Sequence, residues 1–129
     1  MSQSEGLEKT LEQSYEQVLP LVVEALKSEG FGVLTEIDVR ETMRAKLGVE
    51  LPRYKILGAC NPPIAYRALQ AERDAGLMMP CNVIVYEDGG KTKVKAIDPM
   101  GTMAAAHADL LPIAQEVRQK LAAVLAKLG

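Results

Sequence analysis

Leu77, Met79, Cys81, Val83 and Val85 fall at every second position of one segment. Asp88-Gly89-Gly90 interrupts it, and Thr92, Val94 and Ala96 then resume the alternation between Lys91, Lys93 and Lys95. A period of two over that length marks a half-buried strand, and Asp-Gly-Gly between two such runs is a hairpin turn, because glycine supplies the positive φ that tight turns need. The chain is thereby committed to an antiparallel pair, and Cys81 lies on its core face. The lysine stripe reads as an exposed or edge strand, where lysine also discourages sheet-to-sheet aggregation.

The rest of the chain alternates strands with helices. Gly6 to Glu12, with Leu7 and Leu11, reads as a short strand. Ser14 and Gln17 have capping-box spacing, so a helix is expected along Val18, Val22, Ala25 and Leu26 to a stop at Gly30, with Pro20 kinking its early part. Phe31 to Ile37 is a strand with Phe31, Val33, Thr35 and Ile37 on one face. Asp38 then caps a helix in which Glu41 reaches back and Met43 and Leu47 form the apolar stripe before Gly48. In Arg53 to Cys60 the parity is assigned with Tyr54, Ile56, Gly58 and Cys60 toward the core and Arg53 and Lys55 away from it. Asn61-Pro62-Pro63 opens another helix, since asparagine caps well and proline suits the first turn; its end is placed near Gly76. After Asp98-Pro99 and a connection containing Met and Ala, a last helix from about Asp109 carries Leu110, Ala114, Val117, Leu121, Val124, Leu125 and Leu128 on one side. The implied class is α+β, with helices covering the sheet.

A chain of 129 residues, 48% apolar and 25% charged with a net charge of −2, has the composition of one globular domain rather than a disordered segment. No linker or repeat divides it, so residues 1–129 are read as a single domain. Its slight acidity gives no footprint for a polyanion, and nucleic acid is not an expected partner. No apolar run reaches the roughly twenty residues that span a bilayer. Met1 to Gly6 has neither the basic nor the apolar region of a secretory leader, and a cytoplasmic location is expected, in which the two cysteines are thiols.

Four segments stand out together: GFGVLTEIDV at Gly30 to Val39, ILGACNPPIAYRAL at Ile56 to Leu69, MPCNV at Met79 to Val83 and AIDP at Ala96 to Pro99. In this order and spacing they resemble the bacterial and archaeal family called Domain of Unknown Function 302, over about Gly6 to Leu128. The resemblance implies a TATA-box-binding-protein-like fold: an antiparallel sheet of about five strands packed on helices, with further helices between strands. It brings no activity, and fold likeness to a DNA-binding protein transfers none, because function resides in a site built on a fold.

Cys60-Asn61 and Cys81-Asn82 are the central candidates. Both cysteines are assigned to the core side of strands flanking one helix and are expected to approach each other. As a functional pair they point to a small-ligand site, to a soft metal such as Zn or Cu(I), or to thiol-dependent redox or enzymatic chemistry. The plainer reading is that each is a small buried hydrophobe. Cys81, in an apolar row, is expected to be unreactive. Cys60, just before a helix start, is the better nucleophile. Asn61 and Asn82 are candidates to orient a ligand and Arg67 to hold its carboxylate or phosphate, against the readings of cap, outer strand face and solvated helix face. Glu36 is the carboxylate of interest beside a strand's apolar face. Met78, Met79, Met100 and Met103 extend a soft-ligand set or fill gaps in the core, and His107 is the sole histidine. Two thiols alone do not make a zinc site. No Gly-rich phosphate loop, histidine metal motif or serine-hydrolase elbow occurs, so neither a cofactor nor a reaction is named and enzyme status stays open. Exposed strand edges and the Met-containing connection make a homo-oligomer, a homodimer first, the expected assembly. A homo-oligomeric interaction domain with structural cysteines is the third functional class.

Overall fold

The computed structural model describes residues 6–129, so the leader reading of Met1 to Gly6 lies, apart from Gly6, outside the described residues. Glu8–Leu11 (β1), Gly32–Asp38 (β2), Tyr54–Cys60 (β3), Cys81–Asp88 (β4) and Lys91–Ala96 (β5) form one sheet in the order β1-β5-β4-β3-β2. Every neighbouring pair is antiparallel. Helices Tyr15–Ser28 (α1), Val39–Leu47 (α2), Pro62–Ala71 (α3), Met103–Ala106 (α4) and Leu111–Ala126 (α5) fill the connections, with 3-10 turns at Arg73–Met78 and Ala108–Leu110. This is the expected α+β architecture, compatible with the TATA-box-binding-protein-like class. Among the described residues no helix is long and apolar enough to cross a membrane.

Local chemistry sets the boundaries. Ser14 Oγ accepts from the Gln17 amide at 3.2 Å, and Gln17 Oε1 accepts from the Ser14 amide at 3.2 Å, so the capping box opens α1. The helix continues through Pro20 to Ser28. Asp38 Oδ1 accepts from the Glu41 amide at 2.9 Å at the start of α2, which ends at Gly48 with φ 69°. The Glu41 carboxylate does not reach back as expected; it turns outward to Arg44.

The core lies between one face of the sheet and helices α1 and α5. Val18, Val22 and Leu26 of α1 and Leu121, Val124 and Leu125 of α5 are buried against Leu57, Val83, Val85 and Val94. Full burial of each such side chain contributes roughly 1.5–3 kcal/mol. All seven apolar positions assigned to the last helix, Leu110 to Leu128, are buried. Thr92, the one buried polar residue among those described, donates its hydroxyl to the Gln13 carbonyl at 2.9 Å. The opposite face is uncovered. It carries Ile37, Ile56 and Ile84 in register, and next to them Tyr54 stacked on Tyr86 with ring centroids 5.1 Å apart.

Several expected orientations change. In β3 Leu57 and Ala59 face the core, whereas Tyr54, Ile56 and Gly58 face outward and Cys60 is half-buried. Lys55 shares the parity of the buried Leu57 and Ala59, so alternation read from the charged residues selects the wrong face. In β2 the register slips between Val33 and Thr35, making Leu34 an extra residue that is 67% exposed. That bulge puts Val33 on the core face and Ile37 on the open face, so the four residues assigned to one side are divided. Of the two expected settings for the β5 lysines, exposed face or sheet edge, the first holds: β5 pairs with both β1 and β4, and Lys91, Lys93 and Lys95 line the open face beside Glu12, Asp88 and Glu8 at 3.2–3.4 Å. Leu77 belongs to a 3-10 turn rather than β4 and is 85% exposed, and α3 ends at Ala71 rather than near Gly76. Helix α2 buries no residue and leaves Leu47 in solvent.

Gly58 is required by its neighbours. A Cβ there would collide with Thr35 Oγ1 and come within 2.8 Å of Pro80 Cγ. Gly58→Ala is therefore expected to destabilise the fold by about 1–3 kcal/mol in urea titration. Thr35→Ala in the same chain should restore part of that loss, and equal midpoints for wild type and Gly58→Ala would contradict this packing.

Candidate functional site

Cys60 closes β3 and Cys81 opens β4. These strands are adjacent, with Cys81 directly opposite Ala59, the residue before Cys60. Between them the chain leaves through α3 and returns through a 3-10 turn and the cis Met79–Pro80 peptide. Both cysteines line one cleft, walled by Phe31 from the start of β2, Ile64 of α3, Met79, and Met103 of α4. Its free volume is about 30 Å³. That accommodates a water-sized occupant and not a drug-sized molecule.

Asn61 fixes the edge of the cleft. Its Oδ1 accepts from the Ile64 amide at 3.4 Å, capping α3, while its Nδ2 donates to the Glu29 carbonyl at 3.2 Å, at the end of α1. The next residue in that turn, Gly30, has φ +86°, and a Cβ on it would lie 2.8 Å from Asn61 Nδ2. Side chains rarely adopt such a φ, and here the space is also taken. One carboxamide thus joins the α1–β2 turn to the β3–α3 junction and holds Phe31 and Cys60 on the same cleft.

The other sequence candidates lie elsewhere. Asn82 is exposed, with its position in β4 directed to the open face. Arg67 is exposed and binds Glu116 of α5 at 3.0 Å. Glu36 sits on the edge strand β2, paired with Lys55 at 3.2 Å. None of the three lines the cleft. His107 Nδ1 accepts from the Asp109 amide at 3.2 Å and its Nε2 lies 3.2 Å from Glu72, outside the cleft lining. Among the described residues no group of three or more His, Cys, Asp or Glu side chains is placed to hold a metal ion. Phe31 went unnoticed as a site residue because an aromatic at a strand start reads as core. The sequence does not distinguish Met79 and Met103 from Met78 and Met100, and only the folded chain separates the two that reach the cleft.

A larger polar basin of about 390 Å³ lies at the other end of the molecule, among Tyr15, Asp38, Arg40, Arg44, Arg53 and Lys55. Its cations already have carboxylate partners: Glu50 for Arg40 and Arg44, Glu16 and Glu87 for Arg53, and Glu36 for Lys55. That internal neutralisation leaves little field for an anion.

The family described as Domain of unknown function DUF302 matches residues 7–128. The chain belongs to the DUF302 family. Among solved structures, the crystal structure of uncharacterized conserved protein DUF302 from Bacillus stearothermophilus is similar, with a TM-score of 0.85 and 31% sequence identity over 95% of this chain and 98% of that chain. No curated protein matches.

In this DUF302 domain the two thiols are unequal in depth, Cys81 buried and Cys60 half-buried. Burial, and secondarily the neighbouring Cys60, push the Cys81 thiol from 9.0 up to about 11. Its thiolate is therefore about a hundredfold scarcer at neutral pH than that of an unshifted thiol. The folded state holds this proton where the unfolded chain releases it. The resulting stability is complete below pH 9 and is lost as pH rises toward 11, a change of about 2–3 kcal/mol. Tyr15, pushed up to about 12 chiefly by burial and then by Asp38, acts in the same sense at higher pH. Urea titrations across pH 8–11 should show a steeper alkaline loss for wild type than for Cys81→Ala; parallel curves would contradict a buried neutral thiol. Native alkylation near pH 8 should label Cys60 well before Cys81.

Proposed function

We propose that this DUF302 domain binds a small thiophilic species in the cleft between Cys60 and Cys81. The observation that carries the reading is the convergence of two thiols, 21 positions apart in the chain, on one small apolar cleft. Its volume suits an ion or a molecule of a few atoms. Its walls contain no carboxylate, imidazole, lysine or arginine, which leaves the two thiols as its ionisable groups. What the cleft offers is sulfur, and sulfur selects soft partners. Asn61 supports this role by fixing the cleft edge through one hydrogen bond at each end of its carboxamide.

A dithiol switch is the second reading, favoured by the adjacency of the strand ends that carry the cysteines. It would convert two thiols into one disulfide, with two protons and two electrons passing to an external two-electron oxidant. The shifted Cys81 thiol makes Cys60 the attacking partner in such an exchange.

Silver(I), a closed-shell thiophilic ion that oxidises no thiol, separates the two. Native mass spectrometry of the reduced protein should show one ion per chain and thermal unfolding a raised midpoint, since a ligand at a hundredfold excess over its Kd stabilises by about 2.7 kcal/mol. Both effects should vanish in Cys60→Ser and in Cys81→Ser. Silver binding that survives either substitution would refute the cleft as the site. A mass loss of two hydrogens after diamide treatment, with no silver adduct on the reduced protein, would establish the dithiol reading instead.

A further inference from the structure

We propose that the thiophilic occupant is a monovalent copper ion and that Met79 and Met103 join Cys60 and Cys81 in a four-sulfur site. This rests on the thiophilic reading above and narrows it to one ion and one donor set. Four of the residues lining the cleft bear sulfur, and they come from four separate places: the end of β3, the residue before Pro80, the start of β4 and the start of α4. Met103 and Cys81 are buried, while Cys60 and Met79 are half-buried, so the cleft has a closed floor and an accessible side.

Thiolate and thioether donors together select Cu(I), whereas Zn(II) sites are built from four Cys and His ligands or leave an open position beside three of them. Here two thiols are the only such ligands, and His107 is held away by Glu72 and Asp109. A thioether brings no charge, which suits a monovalent ion in an apolar cleft. Binding replaces two S–H bonds with two Cu–S bonds: Cu(I) keeps its oxidation state, both thiol protons pass to solvent and the bis-thiolate complex carries one negative charge. Cys60 immediately precedes the Asn61 cap of α3, a helix of 10 residues whose positive end lies beside that charge.

Anaerobic competition against the Cu(I) chelator bathocuproine disulfonate tests the proposal on the reduced full chain. One Cu(I) per chain is expected, with Zn(II) bound at least a thousandfold more weakly. Met79→Leu and Met103→Leu conserve volume closely and should each lower Cu(I) affinity about tenfold, with the fold checked by circular dichroism. X-ray absorption at the selenium edge of selenomethionine-labelled protein needs no substitution and should show copper as a near neighbour of selenium. Absence of that neighbour, or unchanged affinity in both methionine variants, would overturn the four-sulfur site while leaving silver binding by the two thiols intact. Zinc binding as tight as copper would overturn the choice of ion. Copper binding that persists in the Cys60→Ser, Cys81→Ser double variant would overturn both this inference and the reading on which it rests.

Discussion

The carboxamide of Asn61 is the joint on which the sulfur end of the molecule depends. Its acceptor end starts α3 and its donor end ties off the last turn of α1, so two chain reversals on opposite sides of β2 are locked to one side chain. Such a joint demands a left-handed residue without a Cβ where the α1 turn passes the amide, and Gly30 meets both demands. Phe31 and Cys60 follow or precede these residues directly and inherit fixed positions. The segments GFG and ACNPP therefore belong together for a mechanical reason, independent of any ligand.

The same end of the sheet is tightened from its other face. Gly58 lets Thr35 and Pro80 close over β3, and Pro80 lies between Met79, which lines the cleft, and Cys81. A side chain at position 58 would press on the segment that carries Met79 and Cys81. Packing on the open face is thus linked to cleft geometry through one proline, whereas the salt bridges on that face between β5 and its neighbours are exposed and contribute little.

Much of the fold was legible because local signals agreed with it. Ser14 with Gln17, Asp38, Asn61 before two prolines, and Asp88-Gly89-Gly90 each mark a boundary by satisfying or excluding specific backbone groups, and the helical period fixed the buried side of α5. Orientation was harder wherever the pattern was degenerate. In Tyr54 to Cys60 the charged Lys55 lies on the core parity with Leu57 and Ala59 and misdirects the assignment, and the bulge at Leu34 inverts a register that counting by twos assumes constant. The Lys91, Lys93, Lys95 stripe looks the same on an edge strand and on the uncovered face of an interior strand, since both contact water. Met43 and Leu47 have the spacing of a core stripe, but whether a helix finds a core to pack on is a tertiary matter. At the site, the cysteines and Asn61 stood out by their repeated Cys-Asn context. Asn82 shares that context yet takes the opposite strand face, as any residue adjacent to a core-facing one must.

The division of polar chemistry within the molecule limits what each end can do. Arg40, Arg44, Arg53 and Lys55 gather at one end with Glu16, Glu36, Glu50 and Glu87, where water screens them and their charges largely cancel. The sulfur cleft at the other end is lined by apolar and sulfur-bearing side chains plus the Asn61 carboxamide. In low-dielectric surroundings an unpaired ionised thiol is disfavoured, which keeps Cys81 protonated, but a bound cation would offset part of that penalty by pairing with the thiolate. On the proposed reading, the burial that makes Cys81 a poor nucleophile is therefore compatible with its serving as a ligand, and the raised thiol pKa follows from the same apolar surroundings.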